Sequence, residues 1–357
     1  MRLVNTTRLT AKLVLSRSPE PGGHTTRMGT LVAKATFALA GERPELEVAN
    51  AKPVLDADEP SELGELPCDV LPRQLPCFEV LVLGHACTTG GPQVACDVEL
   101  AVDGVSRRVR VTGDRRWLPS ADGHIAGAPQ PFARMPMTWS RAFGGHARVH
   151  VDRDAVVEVA DPVNRHGRGF DPEPHARALC KWLRAPDGFP VIEDAAALPN
   201  LVAAGVDLRM RTQVVDATCW ATVPRDCGLA LQAPQGWPTA DSPEAAARLQ
   251  QDRVALRAHP DWILPLPARP PRVRLSGMRP DGEVLAFTVP QLAVSADGNF
   301  GGTAVRLRLR PETLLLLPDE RLGVLVFRAS FHVAAVHTKG RALRLRVDEG
   351  WYGASAP

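Results

Sequence analysis

Over residues 29–40 the chain alternates strictly: Leu31, Ala33, Ala35, Phe37 and Leu39 fall on one side of a two-residue period, and Thr30, Val32, Lys34, Thr36 and Ala38 on the other. That period describes a β-strand with one fully apolar face. The signal recurs along the chain. Residues 79–86 predict a buried strand. Segments 96–102 and 105–111 flank Asp103-Gly104, a pair that suits a type I′ hairpin in which both turn residues take positive φ. Beyond residue 271, segments 272–277, 283–289, 304–310, 313–317, 323–333 and 341–347 all predict strands.

Helical signals are few. Ala176, Leu179, Cys180 and Leu183 recur at helical spacing over 174–184, and Asp241-Ser242-Pro243-Glu244 reads as the start of a helix over 241–257. Prolines cluster between Pro260 and Pro271, where a boundary would fall. The expectation is a mainly β protein: two antiparallel β-rich lobes, sandwich- or barrel-like, with a long motif-bearing loop and one or two short helices. Residues 1–200 form the N-terminal lobe with the loop, 201–270 a loop and helix connection, and 271–357 the C-terminal antiparallel lobe. Whether these are separate or one continuous domain stays open.

Composition excludes several classes. With 45% hydrophobic and 23% charged residues the 357-residue chain has the make-up of a globular protein, not a disordered one. A formal net charge of +2 provides no long-range attraction for nucleic acid or anionic lipid. Arg306, Arg308 and Arg310 share one strand face, as do Arg344 and Arg346, but without interleaved aromatic residues they read as a solvated sheet face. No segment approaches the roughly 20 apolar residues of a membrane helix, and no signal-peptide run follows Met1, so a cytoplasmic location and no membrane partner are expected. Seven cysteines lack any C-x-x-C pair, which predicts reduced, mostly buried thiols and no metal.

Catalytic signatures are absent: no G-x-S-x-G, no H-E-x-x-H and no phosphate-binding Lys loop. His146 and His150 would point to one side of a strand yet lie too far apart for joint ligation. Asp114, Asp161, Asp171 and His166 can be combined into acid–base pairs, but nothing in the sequence fixes their distances. No cofactor is expected.

The most specific stretch runs from Gly113 to Phe170. It contains Gly113-Asp114-Arg115-Arg116-Trp117, Pro131-Phe132 through Met135-Pro136, Trp139-Ser140-Arg141-Ala142-Phe143-Gly144-Gly145 and Asn164-Arg165-His166-Gly167-Arg168-Gly169-Phe170. Trp, Phe and Arg are the residue types of binding hot spots, and Gly and Pro fix irregular backbone. Aromatic residues in a loop serve equally as core plugs. Both readings stay open on composition.

Together with Val32-Ala33-Lys34-Ala35-Thr36-Phe37, Leu198-Pro199-Asn200-Leu201, Leu275-Ser276-Gly277-Met278 and Arg310-Pro311-Glu312-Thr313, these motifs resemble, in order, the bacterial family labelled domain of unknown function 2169, associated with type VI secretion. The W-x-R-A-F-G-G run is the most specific piece. Two departures are visible: Asn164-Arg165-His166-Gly167 stands where the family commonly has Asn-Pro-Val-Gly, and a region expected to be rich in Gly-Phe-Gly-Pro and Trp-Pro-Pro is reduced to 219–238. The resemblance implies a non-catalytic adaptor or chaperone. Its partners would be a toxic effector, with a PAAR-like domain, and a spike protein of the valine-glycine-repeat type.

On that reading Trp117, Trp139, Phe143 and Phe170 are candidate apolar anchors and Arg116, Arg141 and Arg168 orienting donors, with Gly144, Gly145 and Gly167 as backbone hinges. At least half of the anchors and donors are expected to be structural. The alternative is a hydrolase-like enzyme using Asp114 or His166 in the same loop.

Overall fold

The computed structural model describes residues 1–19, 25–73, 76–121, 123–150, 156–172, 174, 178, 197–209, 213–228, 255–300, 303–333 and 342–353. The protein is mainly β, and among the described residues no helix reaches seven residues. The expected helices over 174–184 and 241–257, together with Cys180 and Trp237-Pro238, lie almost wholly outside that set.

A nine-stranded, nearly closed sheet dominates. Its order is Arg2–Val4, Ala342–Glu349, Leu292–Phe300, Thr303–Leu317, Leu322–His332, Thr25–Ala38 and Thr10–Pro19, and Cys77–Val82 and Ile263–Pro265 complete it beside Thr303–Leu317. The long Thr303–Leu317 strand changes neighbours along one side. Its first half pairs with Leu292–Phe300 and its second half, in parallel, with Cys77–Val82. The change comes at a bulge between Pro311 and Thr313, where proline has no N–H to give to a ladder.

A second, five-stranded sheet runs Leu201–Ala203, Val105–Thr112, Ala95–Val102, Arg272–Ser276, Leu285–Thr288. Both sheets draw strands from residues 1–200 and from 271–357. The two pack through a shared core in which Phe37 meets Phe287 edge-on at 5.8 Å. Trp262 is fully buried there, perpendicular to Trp220.

One local expectation is extended and another corrected. The Thr25–Ala38 strand is buried on both faces over 28–37, because the proline-rich connection folds back over its polar side. Lys34 there meets Asp69 at 2.8 Å, and Arg328 donates to the Asp69 carbonyl. In the 103–104 turn Asp103 takes positive φ, at 49°, and Gly104 is not among the positive-φ residues, so the turn lacks the paired positive φ of type I′. The six cysteines in the described residues are free thiols, buried except for Cys96.

Candidate functional site

The motif stretch leaves the Val105–Thr112 strand at Gly113 and is held by two buried asparagines. Asn200, from the Leu198-Pro199-Asn200 turn, donates through Nδ2 to the Thr112 carbonyl at 2.8 Å and to Asp114 Oδ1 at 3.1 Å, while its Oδ1 accepts from Arg141. Asn164 donates to the Trp139 and Phe143 carbonyls, both at 2.9 Å. Both asparagines are wholly buried. A buried amide side chain with every polar atom engaged fixes the loops it bridges, because leaving one of its bonds unmade costs the desolvation of the group.

Around this frame the short strands Phe143–Gly144 and Arg168–Gly169 run in parallel. The backbones approach so closely that a Cβ on Gly144, at φ +135°, would sit 2.0 Å from the Asn164 carbonyl oxygen. Gly145 and Gly167 are also crowded: a Cβ would lie 2.8 Å from the Gly167 carbonyl oxygen at the first and 2.6 Å from Asn164 Nδ2 at the second. These glycines are therefore close-packing positions, not hinges.

The four rings point inward. Trp117, Trp139, Phe143 and Phe170 are 5%, 4%, 4% and 6% exposed. Trp139 donates Nε1–H to the Ala221 carbonyl at 3.0 Å and stacks on His259, whereas Trp117 packs on Leu198 and Leu208. As the chain stands alone, none offers the open apolar area expected of an interface anchor. Their burial forms a rigid plate beneath the loop.

Two of the guanidinium groups, those of Arg141 and Arg168, converge on one carboxylate. Asp114 Oδ1 accepts from Arg141 at 3.0 Å and lies 3.5 Å from Arg168 Nη1. Burial alone would raise the Asp114 pKa, but the Asn200 hydrogen bond and the Arg141 and Arg168 charges outweigh it and hold the carboxyl below its usual range. Arg168 also donates through Nε to the Ser140 carbonyl. Desolvation and the neighbouring Arg141 charge lower its pKa. Arg116 is exposed. The structure brings Asp114, Arg141 and Arg168 into contact, with Arg116 exposed nearby; sequence reasoning did not single out Asn164 and Asn200, which bridge the loops.

His166 lies elsewhere on the loop, bonded through Nε2 to Asp226 Oδ1 at 2.7 Å, with the buried Cys227 beside them. Among the described residues these three could offer one ligand atom each to a cation, all within 4.8 Å of one another. Burial pushes the Cys227 thiol up to about 11, so it is protonated at neutral pH and lies 3.6 Å from Asn164 Oδ1 as a weak donor. No hydrogen bond or ion pair joins His166 to Asp114.

With this geometry in view, residues 24–328 match the family model described as an uncharacterized protein conserved in bacteria (DUF2169). The chain belongs to this family. The DUF2169 match takes in the Thr25–Ala38 strand, the whole Gly113–Phe170 motif, Asn200 and the strands through Phe327 and Arg328. No curated protein and no solved structure matches.

Proposed function

We propose that this DUF2169 chain is a non-catalytic adaptor that binds a protein effector in the bacterial cytoplasm and helps load it onto the type VI secretion spike. The observation that carries the reading is the division of labour within the motif. Its rings are spent on internal packing, while Arg141 and Arg168 are held, part-exposed, around one carboxylate and Arg116 is exposed nearby. Such an arrangement suits recognition of a polypeptide by fixed, forked donors on a rigid base.

The same geometry weighs against the hydrolase alternative. Asp114 accepts from three donors and its proton affinity is reduced, which makes it a weak general base. The Cys227 thiol is protonated and is no ready nucleophile.

The test is loading and secretion of the effector encoded beside this protein. Deleting the protein should lower release of that effector while other clients are still secreted. An Asp114→Asn variant should retain the fold and be read for loading and for hydrolysis. Unchanged effector release on deletion would overturn the adaptor reading. Substrate turnover by the purified protein that disappears in Asp114→Asn would establish the enzyme instead.

A further inference from the structure

The surface beside the motif carries a pocket of about 550 Å³ between Asp114, Arg115, Arg116, Gln130 and Arg168, with Leu118 on its wall. Its charge is unbalanced. Three guanidinium groups line it against a single carboxylate, and that carboxylate is already engaged by Arg141, Arg168 and Asn200. Arg116 is exposed and, among the described residues, its side chain makes no hydrogen bond or ion pair. Among the described residues the buried Nε of Arg115 has no acceptor, and the nearest opposing charge on its guanidinium is that of Asp207. A desolvated donor on a cation, left unpaired, is costly until an anion arrives to share it.

A second observation lies at the rim. The strands Trp117–Ser120 and Gly123–Ala126 form a two-stranded hairpin in which Leu118 stands directly opposite Ile125. Residues directly opposite in an antiparallel pair share a face. Leu118 is 49% exposed and Ile125 48%, so two aliphatic side chains lie together in solvent next to the arginines. A nucleic acid would supply the negative charge but has no use for an aliphatic pair, and the motif's rings are buried where they cannot stack on bases. A polypeptide segment supplies both chemistries.

We propose that this pocket takes a carboxylate from an acidic segment of the protein client, with an apolar side chain of that segment packed on Leu118 and Ile125. The inference rests on the adaptor reading and names the chemistry of its client. Arg115 and Arg116 then act as the specificity-determining donors, and Asp114 holds Arg168 in place and repels carboxylates presented in any other position.

The experiment uses the full-length chain and fluorescein-labelled peptides of Glu-Glu-Leu repeats, Gln-Gln-Leu repeats and Glu-Glu-Ser repeats, read by anisotropy at low and high salt. The Glu-Glu-Leu peptide should bind about tenfold or more tightly than either control, with affinity falling as salt rises. Arg116→Glu should abolish that preference, and Leu118→Ser with Ile125→Ser should reduce it to the level of the Glu-Glu-Ser peptide. All three positions are surface positions or partly so, and an unchanged melting temperature confirms that the variants fold.

Equal binding of the Gln-Gln-Leu peptide, undiminished binding by Arg116→Glu, or tighter binding of a single-stranded oligonucleotide would each overturn the proposal. Effector loading separates this from the broader reading. If deletion of the protein stops loading while Arg116→Glu loads normally, the pocket assignment fails and the adaptor stands. If the peptides bind as stated but deletion leaves loading unchanged, the adaptor reading fails and the pocket stands.

Discussion

The imidazole of His259 lies face to face with the indole of Trp139, ring centroids 6.1 Å apart and planes inclined by 9°. This contact ties the W-x-R-A-F-G-G run to the segment that enters the C-terminal strands. Trp139 therefore belongs to the shared core. Trp139→Ala should cost about 3–5 kcal/mol in urea denaturation, because it opens a cavity and leaves the Ala221 carbonyl without its donor. Trp139→Phe should cost less. A Trp139→Ala protein of normal stability that no longer binds its client would show that the ring acts at an interface instead.

The same stack makes stability depend on pH. Burial holds the His259 pKa below its ordinary 6.5, outweighing the nearby Asp261 charge, and its Nδ1 accepts from the Asp261 backbone N–H. Protonation would remove that acceptor. The unfolded imidazole takes a proton near pH 6.5 while the folded one resists it, so stability is complete above that value. It should fall as the pH is lowered toward the depressed folded value. Urea midpoints compared between neutral and mildly acidic pH should show this loss, and His259→Asn should flatten it.

Gly144 is the second test of the motif's construction. Gly144→Ala places a methyl group against the Asn164 carbonyl at φ +135°, so a loss of several kcal/mol or failure to fold is expected. Gly41→Ala serves as control. Gly41 also has positive φ, +70°, but nothing lies within 4 Å, so only the backbone strain of about 1 kcal/mol applies. Thermal melts of the two variants separate crowding from conformation.

Lys34 probes the covered face of the Thr25–Ala38 strand. Both partners of the Lys34–Asp69 pair are 5% exposed, and Asp69 also accepts from the Leu55 backbone N–H. Lys34→Met leaves a buried carboxylate uncompensated, at an expected cost of about 3–5 kcal/mol. Adding Asp69→Asn, which retains an acceptor for Leu55, should recover part of that loss in chemical denaturation.

Asp114→Asn should behave differently. Its side chain is more than half exposed, so the lost ion pairs are screened and about 1 kcal/mol or less of stability is at stake. The depressed carboxyl pKa carries the sign: the contribution is present above the ordinary carboxylate range and fades as pH falls through the folded value. A difference in midpoint between wild type and Asp114→Asn that persists at neutral pH and vanishes in acid is the expected result.

The clean two-residue period of Thr25–Ala38 and the apolar run of Leu322–His332 were legible in the sequence. Leu292–Phe300 was not, because Ser295, Asp297, Gly298 and Asn299 break the apolar pattern. Its polar positions are satisfied across the sheet: Asp297 pairs with Arg306 and Arg346, which also accounts for part of the arginine-rich face. Thr303–Leu317 read as two strands because Pro311 interrupts it, and the bulge lets it continue.

The motif's location was legible from residue types, but the direction of its side chains was not. Whether Trp139 points in or out is decided by Ala221 and His259, both remote in sequence, and no local pattern encodes that. Arg115 escaped notice because its distinction is a missing partner, which only the folded surroundings reveal.

Arg2–Val4 pairs in parallel with the Ala342–Glu349 strand, in register with Ala342, Leu343 and Arg344. On the ribosome, Arg2–Val4 therefore emerges long before the neighbour it must join, and the sheet keeps a raw edge until Ala342–Glu349 has been made. Folding should be slow and all-or-none, with nascent or shortened chains prone to sticking to one another. A cell that needs this protein must either make it quickly or shelter it while it is being made.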